Sequence, residues 1–313
     1  MKSKVQQKRV LVLMSCYNGE KYLQKQIESI MSQRGLDTVD LLIRDDGSAD
    51  GTKKIIEESI KKYSDRIKFI YGNNLGYNGS FFELIRQSEG YDYYAFSDQD
   101  DVWLPDKLYV ACKFLERESE NVPLLYASTS YLVGDDLKPY GTTRCQKREF
   151  TIFNTLVQNI CPGHTQVFNN ELLALLKQNI DVSKIYVYDS WVTNTAMLYG
   201  KVCFDNQSHT YYRQHTGNQL GYGNGKIGQL ITSIKHTGSG DGVKYKRQIA
   251  YFAEINKNAL IEQGTFKEIK KFLAICNSRF SIRKIKSVLN CKFYRQRRIE
   301  TLALYVAILL GKY

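Results

Sequence analysis

A chain of 313 residues, 43% hydrophobic and 24% charged with only four prolines, can bury one large core or two modest ones. That composition excludes intrinsic disorder, collagen-like repetition and a small disulfide scaffold, and no apolar run approaches the roughly 20 residues of a membrane-spanning helix. Of the net charge of +12, residues 240–313 supply +11, from 16 Lys and Arg against 5 Asp and Glu. A near-neutral body thus carries a basic tail suited to an anionic surface, either nucleic acid or the inner leaflet of a membrane.

The basic leader before Val10 precedes too few apolar residues for a signal-peptide core. Seven scattered cysteines without a CxxC pair read as reduced thiols, and the expectation is a cytoplasmic protein.

The first strand is Arg9 to Ser15, a buried apolar run, followed by a helix whose face is Leu23, Ile27, Ile30 and Met31. Leu41 to Ile43 forms a second strand, and Ile55, Ile56 and Ile60 mark one face of a second helix. Ile67 to Tyr71 gives a third strand, Phe81 to Ile85 a helix, Tyr93 to Phe96 a fourth strand, and Pro105 opens a further helix. This alternation predicts an α/β fold with parallel strands and right-handed crossovers. Residues 130–220 are less regular, with turn clusters near 134–143 and 217–228. From about 226 helical spacing takes over. The expected organisation is a catalytic domain over 1–225 and a basic helical region over 226–313.

Ligands of an open parallel sheet bind beyond the carboxyl ends of its strands. Three polar clusters fall there: Ser15-Cys16-Tyr17-Asn18, Arg44-Asp45-Asp46-Gly47-Ser48 and Ser97-Asp98-Gln99-Asp100-Asp101. An Asp-Gly-Ser alone is commonly a turn or cap, and the third cluster read alone could cap the helix at Pro105. Yet Asp98, Asp100 and Asp101 crowd three carboxylates into four residues, which repel unless a cation sits among them. Such oxygens suit Mg²⁺ or Mn²⁺, bridging to phosphates. Neither GxxxxGK[ST] nor an early GxGxxG is present, which counts against kinases, ATPases and dinucleotide dehydrogenases.

Ser15-Cys16-Tyr17-Asn18-Gly19 with Tyr22-Leu23, Asp45-Asp46-Gly47-Ser48-Ala49-Asp50-Gly51-Thr52, Asn74-Leu75-Gly76 and Asp98-Gln99-Asp100-Asp101 together resemble the inverting family 2 glycosyltransferases with the GT-A fold. Ser97 to Leu108, Tyr188-Asp189-Ser190-Trp191 and Tyr212-Arg213-Gln214-His215 are similar to the bacterial rhamnosyltransferase branch. Tyr188 stands where histidine is common there, and Ser190 where an aromatic is frequent. The QxxRW block typical of processive synthases is absent, in keeping with one sugar added per encounter.

The resemblance implies a Rossmann-like, mostly parallel sheet flanked by helices, with a C-terminal helical extension. It implies transfer of a sugar, L-rhamnose from a dTDP donor or a hexose from a UDP donor, with inversion. The acceptor would be a glycan or polyprenyl-diphosphate-linked sugar of cell-surface polysaccharide. Asp189 would be the base, also readable as a helix N-cap, in a setting made partly apolar by Tyr186, Tyr188 and Trp191. Asp100 and Asp98 would hold Mn²⁺ or Mg²⁺, with His215 as a further ligand. Ser15, Tyr17, Glu20, Asp45, Asp46 and Asp98 would meet the nucleotide, Tyr17 by stacking on the base, while Arg213 would face the diphosphate. His164 falls where the family's acceptor loop runs, and reads more simply as a turn residue.

In the tail, Ile282, Ile285, Leu289 and Phe293 share a helical face, with Arg279, Arg283, Lys284, Lys286 and Lys292 largely off it. Such a helix suits the headgroup region of an anionic inner leaflet and a peripheral membrane location. The run Leu302 to Leu310 is too short to span a bilayer. A nucleotidyltransferase would want a basic glycine-rich first loop, which this chain lacks. A nucleic-acid-binding protein fits poorly, because apolar residues interrupt the basic tail and the acids cluster in the body.

Overall fold

Apolar runs of the first half such as Val10 to Met14 and Tyr93 to Phe96 are strands buried on both faces, as parallel sheets covered by helices require, while Ile67 to Tyr71 is a half-exposed edge strand. The computed structural model describes residues 8–119, 121–214 and 241–313. Contacts divide the chain into two compact units: Met1–Cys145, Cys161–Val182 and Gly200–Gly217 form one, while Gln146–Ile160, Ser183–Tyr199 and Asn218–Tyr313 form the other. The second unit thus takes in two segments well upstream of residue 226.

In the first unit, β1 (Arg9–Cys16), β2 (Thr38–Asp45), β3 (Ile67–Tyr71) and β4 (Tyr93–Ser97) pair in parallel in the order β3-β2-β1-β4. Their connections are α1 (Leu23–Met31), α2 (Thr52–Tyr63) and α3 (Gly76–Gln87). The apolar stripe expected on α1 is buried, and Val10, Val12, Met14 and Cys16 of β1 share its cluster. Going from β1 the chain builds outward through β2 and β3, then returns to lay β4 on the other side of β1. At such a reversal of strand order, ligands of open α/β sheets bind outside the carboxyl ends of the strands.

Beyond β4 the sheet changes character. It continues through β8 (Val167–Asn169), β6 (Leu124–Val133), β9 (Lys201–Arg213) and β5 (Val102–Trp103), with β7 (Pro139–Thr142) paired to β6. The β4–β8, β8–β6, β9–β5 and β6–β7 ladders are antiparallel, whereas β6 and β9 pair in parallel along most of their length, so the sheet is mixed but mostly parallel, as expected. The helix expected from Pro105 begins at Lys107 as α4 (Lys107–Leu115), and α6 (Asn170–Leu176) follows β8 directly.

In the second unit, α5 (Ile152–Thr155) and α7 (Tyr188–Tyr199) pack with α8 (Asp241–Ile255), α9 (Lys257–Glu262), α10 (Phe266–Asn277), α11 (Ile282–Leu289) and α12 (Arg298–Leu309). Phe272 stacks on Phe293 at 3.9 Å and meets Tyr313 edge-on, forming this unit's own aromatic core. Phe293, expected on one helical face with Ile282, Ile285 and Leu289, lies past the end of α11 and is buried. Lys284 turns inward as well, donating from Nζ to the Ser278 carbonyl at 2.8 Å.

Candidate active site

Register alone brings the acidic loops together. Parallel pairing sets Cys16 beside Asp45 and Met14 beside Ser97, so the loops after β1, β2 and β4 leave the sheet at one edge. The first two loops are sewn to each other. The Asn18 and Gly19 amides donate to Ser48 Oγ and Thr52 Oγ1, and the Glu20 amide donates to Asp50. In return, the Ala49 amide donates to Asn18 Oδ1 and the Gly51 amide to Glu20 Oε2 at 2.9 Å each. Asn18 meets these partners in the left-handed region, at φ 48°, which asparagine tolerates better than most residues.

The first and third loops are joined by one side chain. Gln99 Oε1 accepts from the Tyr17 amide at 2.8 Å, and its Nε2 donates to the Tyr17 carbonyl at 3.0 Å. A Cβ at Gly19 would collide with this amide, so any larger residue there has to displace the Gln99 side chain. Tyr17 itself is half exposed, its ring open to a ligand.

The expected nucleotide residues divide into two kinds. Tyr17 and Glu20 are exposed at the loop surface. Asp45, buried, accepts from the Ser48 amide and hydroxyl and shapes the second loop. Asp46 is also turned inward, in an ion pair with buried Arg44, and accepts from the Leu75 amide at 2.7 Å. Arg44 reaches Ser80 Oγ and the Asn73 carbonyl, and Ser80 in turn meets Ser15 Oγ at 2.6 Å. Ser15 and Asp46 thus belong to a buried polar chain whose hub is Arg44, a residue that sequence pattern alone does not mark as a hub.

The third loop lies over an unusual interior. Asp98, Asp101 and His164 each offer one ligand atom, all within 4.8 Å of one another. Asp100, expected as the principal ligand, is not in that trio. His215 lies outside the described residues. Asp101 is fully buried: Oδ1 accepts from the Arg213 amide at 3.2 Å, while Oδ2 has no hydrogen-bond partner among the described residues. Burial, then Asp100 and Asp98, push its carboxyl well above the usual range. An orphaned, buried carboxylate oxygen beside a second carboxylate and an imidazole fits a hard divalent cation.

His164 sits in a short 3₁₀ turn, as expected of Pro162-Gly163-His164, yet it is buried. Its ring stacks on Tyr212 at 4.3 Å and its Nε2 lies 2.9 Å from Ser130 Oγ. Burial, with the nearby Lys107 charge, holds it down to about 3, so it stays neutral, the form that ligates.

Lys107 is the missed residue with the greatest electrostatic weight. It opens α4, where a lysine normally reaches water, but it is fully buried, donating to the His164 carbonyl at 2.8 Å. Burial drives the ammonium well down, and Asp101 and Asp98 oppose that.

The antiparallel ladder pairs Val102 with Tyr211, so Asp100 runs opposite Arg213. Arg213 accordingly donates from Nε to the Asp100 carbonyl at 2.9 Å and from Nη1 to the Asp135 carbonyl at 3.1 Å. Its guanidinium also covers the Tyr22 ring, 4.5 Å away. This buried arginine, expected to face a diphosphate, braces the acidic loop.

In the second unit Asp189 lies in the first turn of α7, one residue inside the helix rather than capping it. It is buried, with Oδ2 accepting from Asn159 Nδ2 at 2.9 Å and Oδ1 from the Ser190 amide at 2.8 Å. The expected apolar setting is present. Tyr188 and Trp191 are buried, Trp191 stacks on Tyr251, and Tyr186 meets Tyr245 edge-on. Burial, then the Asp189 charge, push the Tyr245 hydroxyl far up.

These features agree with what the chain resembles. The sequence profile described as "Glycosyl transferase family 2" matches residues 11–174. The dTDP-rhamnosyl transferase RfbG of Shigella flexneri is 31% identical over 218 residues, 66% of this chain and 73% of that protein. A putative glycosyltransferase of Bacillus subtilis, EpsE, is 38% identical over 110 residues, 35% of this chain and 39% of its own length. Among solved structures, S. aureus TarS 1-349 in complex with UDP-GlcNAc superposes with a TM-score of 0.53 at 16% identity, covering 96% of this chain and 90% of that one. The Pyrobaculum calidifontis mannosyltransferase PcManGT, in complex with GDP-Man and Mn²⁺, gives 0.55 at 14% identity, over 97% and 76%. The fold is the expected GT-A arrangement, and the chain belongs to glycosyl transferase family 2.

Proposed function

We propose that the protein transfers one sugar from a nucleoside-diphosphate donor to a glycan or polyprenyl-diphosphate-linked acceptor, with inversion, at the cytoplasmic face of a cell making surface polysaccharide. The observation that carries this reading is the buried Asp101 Oδ2, without a hydrogen-bond partner among the described residues, beside Asp98 and His164 at the edge where the sheet's strand order reverses. Rhamnose from dTDP-rhamnose is the preferred donor, supported by the likeness to RfbG over two thirds of the chain.

In this account Asp98, Asp101 and His164 would hold Mn²⁺ or Mg²⁺, with Asp100 alongside. When bound, that ion supplies positive charge to the donor's two phosphates. Tyr17 stacks on the nucleobase, and Ser15, Glu20 and Asp45 shape the pocket for base and ribose. Arg213 keeps the acidic loop in place through the Asp100 carbonyl. Asp189 accepts the proton of the acceptor hydroxyl while the new carbon–oxygen bond forms and the bond to the diphosphate breaks. Asn159 and the Ser190 amide hold that carboxylate in one orientation.

The experiment is a transfer assay with dTDP-rhamnose and UDP-hexoses on wild type and Asp189→Asn. Turnover with dTDP-rhamnose, lost at least about 100-fold in the variant while nucleotide binding persists, supports the reading. Wild-type turnover in the variant removes Asp189 from the role, and transfer from UDP-hexose alone reassigns the donor.

A further inference from the structure

The second unit presents an apolar surface that its own core does not use. On α11, Ile282 and Leu289 are 76% and 65% exposed, and Phe280 just before it is 69% exposed. Seven residues is about two helical turns, so Ile282 and Leu289 stand on one face with Lys286, opposite the buried Lys284 and Val288. On α12, Ile299, Leu302, Val306 and Leu310 are all exposed, from 46% to 65%, while Glu300, Leu304, Ala307 and Ile308 face inward. The spacing of three, four and four makes a continuous stripe along the helix and the residue just past its end. The two helices pack against each other.

Charge decides what covers this surface. Residues 279–313 hold nine Lys and Arg and a single acid, Glu300. That acid is buried and accepts from Gln158 Nε2 at 3.0 Å. Arg279, Arg283, Lys286, Lys292, Arg298 and Lys312 are exposed, so along this stretch the surface is cationic with no exposed acid to offset it. A second copy of the same face would meet like charge. A nucleic acid would leave seven large apolar side chains in water. An anionic bilayer satisfies both halves, taking the side chains into the acyl boundary and the cations among its headgroups. No described helix is long and apolar enough to cross a membrane, and α12 at about 18 Å is well short of the hydrocarbon thickness.

We infer that α11 and α12 together dock the protein on an anionic lipid surface, with Ile282, Leu289, Leu302, Val306 and Leu310 inserted and Arg283, Lys286 and Arg298 on the headgroups. This goes beyond the sugar-transfer reading and does not depend on it.

The test is co-sedimentation of the full chain with phosphatidylcholine vesicles, with and without phosphatidylglycerol, across a salt series. Binding is expected only to the anionic vesicles, weakening with salt as headgroup attraction is screened. Ile282→Ser with Leu302→Ser and Leu310→Ser, all exposed positions, should lower partition at least about tenfold. Arg283→Glu with Lys286→Glu and Arg298→Glu should do the same. Leu302→Trp supplies a readout in an otherwise intact chain, its emission shifting blue and quenched by brominated lipid. Unchanged partition in the triple variants, or an unshifted Leu302→Trp emission with anionic vesicles, overturns the assignment. So does a concentration-dependent dimer, or duplex DNA binding, that the serine variants abolish while vesicles are ignored.

Discussion

The Lys107 ammonium lies 3.2 Å from the centre of the Trp103 ring, enclosed beneath a loop that carries three aspartates. An indole face and the His164 carbonyl are the groups seen solvating it, and Asp98 and Asp101 are the acids that favour its charged form. The lysine is thus an internal counter-charge to the acidic loop. Lys107→Met should destabilise the protein by about 1–3 kcal/mol, because it leaves the buried His164 carbonyl without its donor and removes a group whose charge offsets Asp98 and Asp101. Divalent cation should restore more stability in the variant than it adds to wild type. Thermal unfolding with and without Mn²⁺ checks both, and equal metal-induced shifts would contradict the pairing.

Gln99 and Gly19 make a second coupled pair. Gln99→Ala removes two hydrogen bonds to the Tyr17 backbone, at a cost of about 1–2 kcal/mol, and unlatches the first loop from the third. Gly19→Ala displaces the same amide from the other side. The two changes should therefore be strongly non-additive in donor affinity. Additive losses in a double-mutant cycle would show that the latch has no bearing on donor binding.

Asp46 and Tyr17 were both expected at the nucleotide, and the structure separates them. Asp46→Asn leaves Arg44 buried without its charge partner, so its main effect should be lost stability of about 3 kcal/mol. Tyr17→Ala should leave stability within about 0.5 kcal/mol, since the ring is half exposed, and weaken nucleotide binding. Urea unfolding and nucleotide titration of the two variants distinguish them.

Alkaline stability follows from three acids, Cys276 buried and Cys203 and Tyr91 partly so. Burial raises the Cys203 thiol to about 11 and the Cys276 thiol to about 12, and burial with the Asp40 carboxylate raises Tyr91 to about 12. Each folded value lies above the unfolded one of 9.0 or 10.0. Their contribution is therefore complete below about pH 9 and lost as pH rises through 11–12. Unfolding free energy should decline across that window, and Cys203→Ser should flatten the lower part of the decline.

The first hundred residues were legible because strands buried on both faces read as apolar runs such as Val10 to Met14, and acid-rich loops interrupt them. The later sheet was not. The β9 sequence KVCFDNQSHTYYR is half polar, and its register against β6 shifts beside Ser128 and Thr129, so no period of two survives. His164 looked like a turn residue because it is one. Its burial comes from Tyr212 and Ser130, distant in sequence. Lys107 and Lys284 were invisible for a related reason: helix patterning assigns lysine to water, and only tertiary contacts bring these two inside. Arg213 was found by its motif, but its buried donors serve the loop backbone.

In the proposed reaction Asp98, Asp101 and His164 would hold a divalent ion for the donor's phosphates. Calorimetric titration of wild type and Asp101→Asn with dTDP-rhamnose, each with Mn²⁺ and with chelator, tests it most directly. The account predicts tight binding only for wild type with Mn²⁺, and at least about tenfold weaker binding in the other three arms. Equal donor affinity in all four would contradict it.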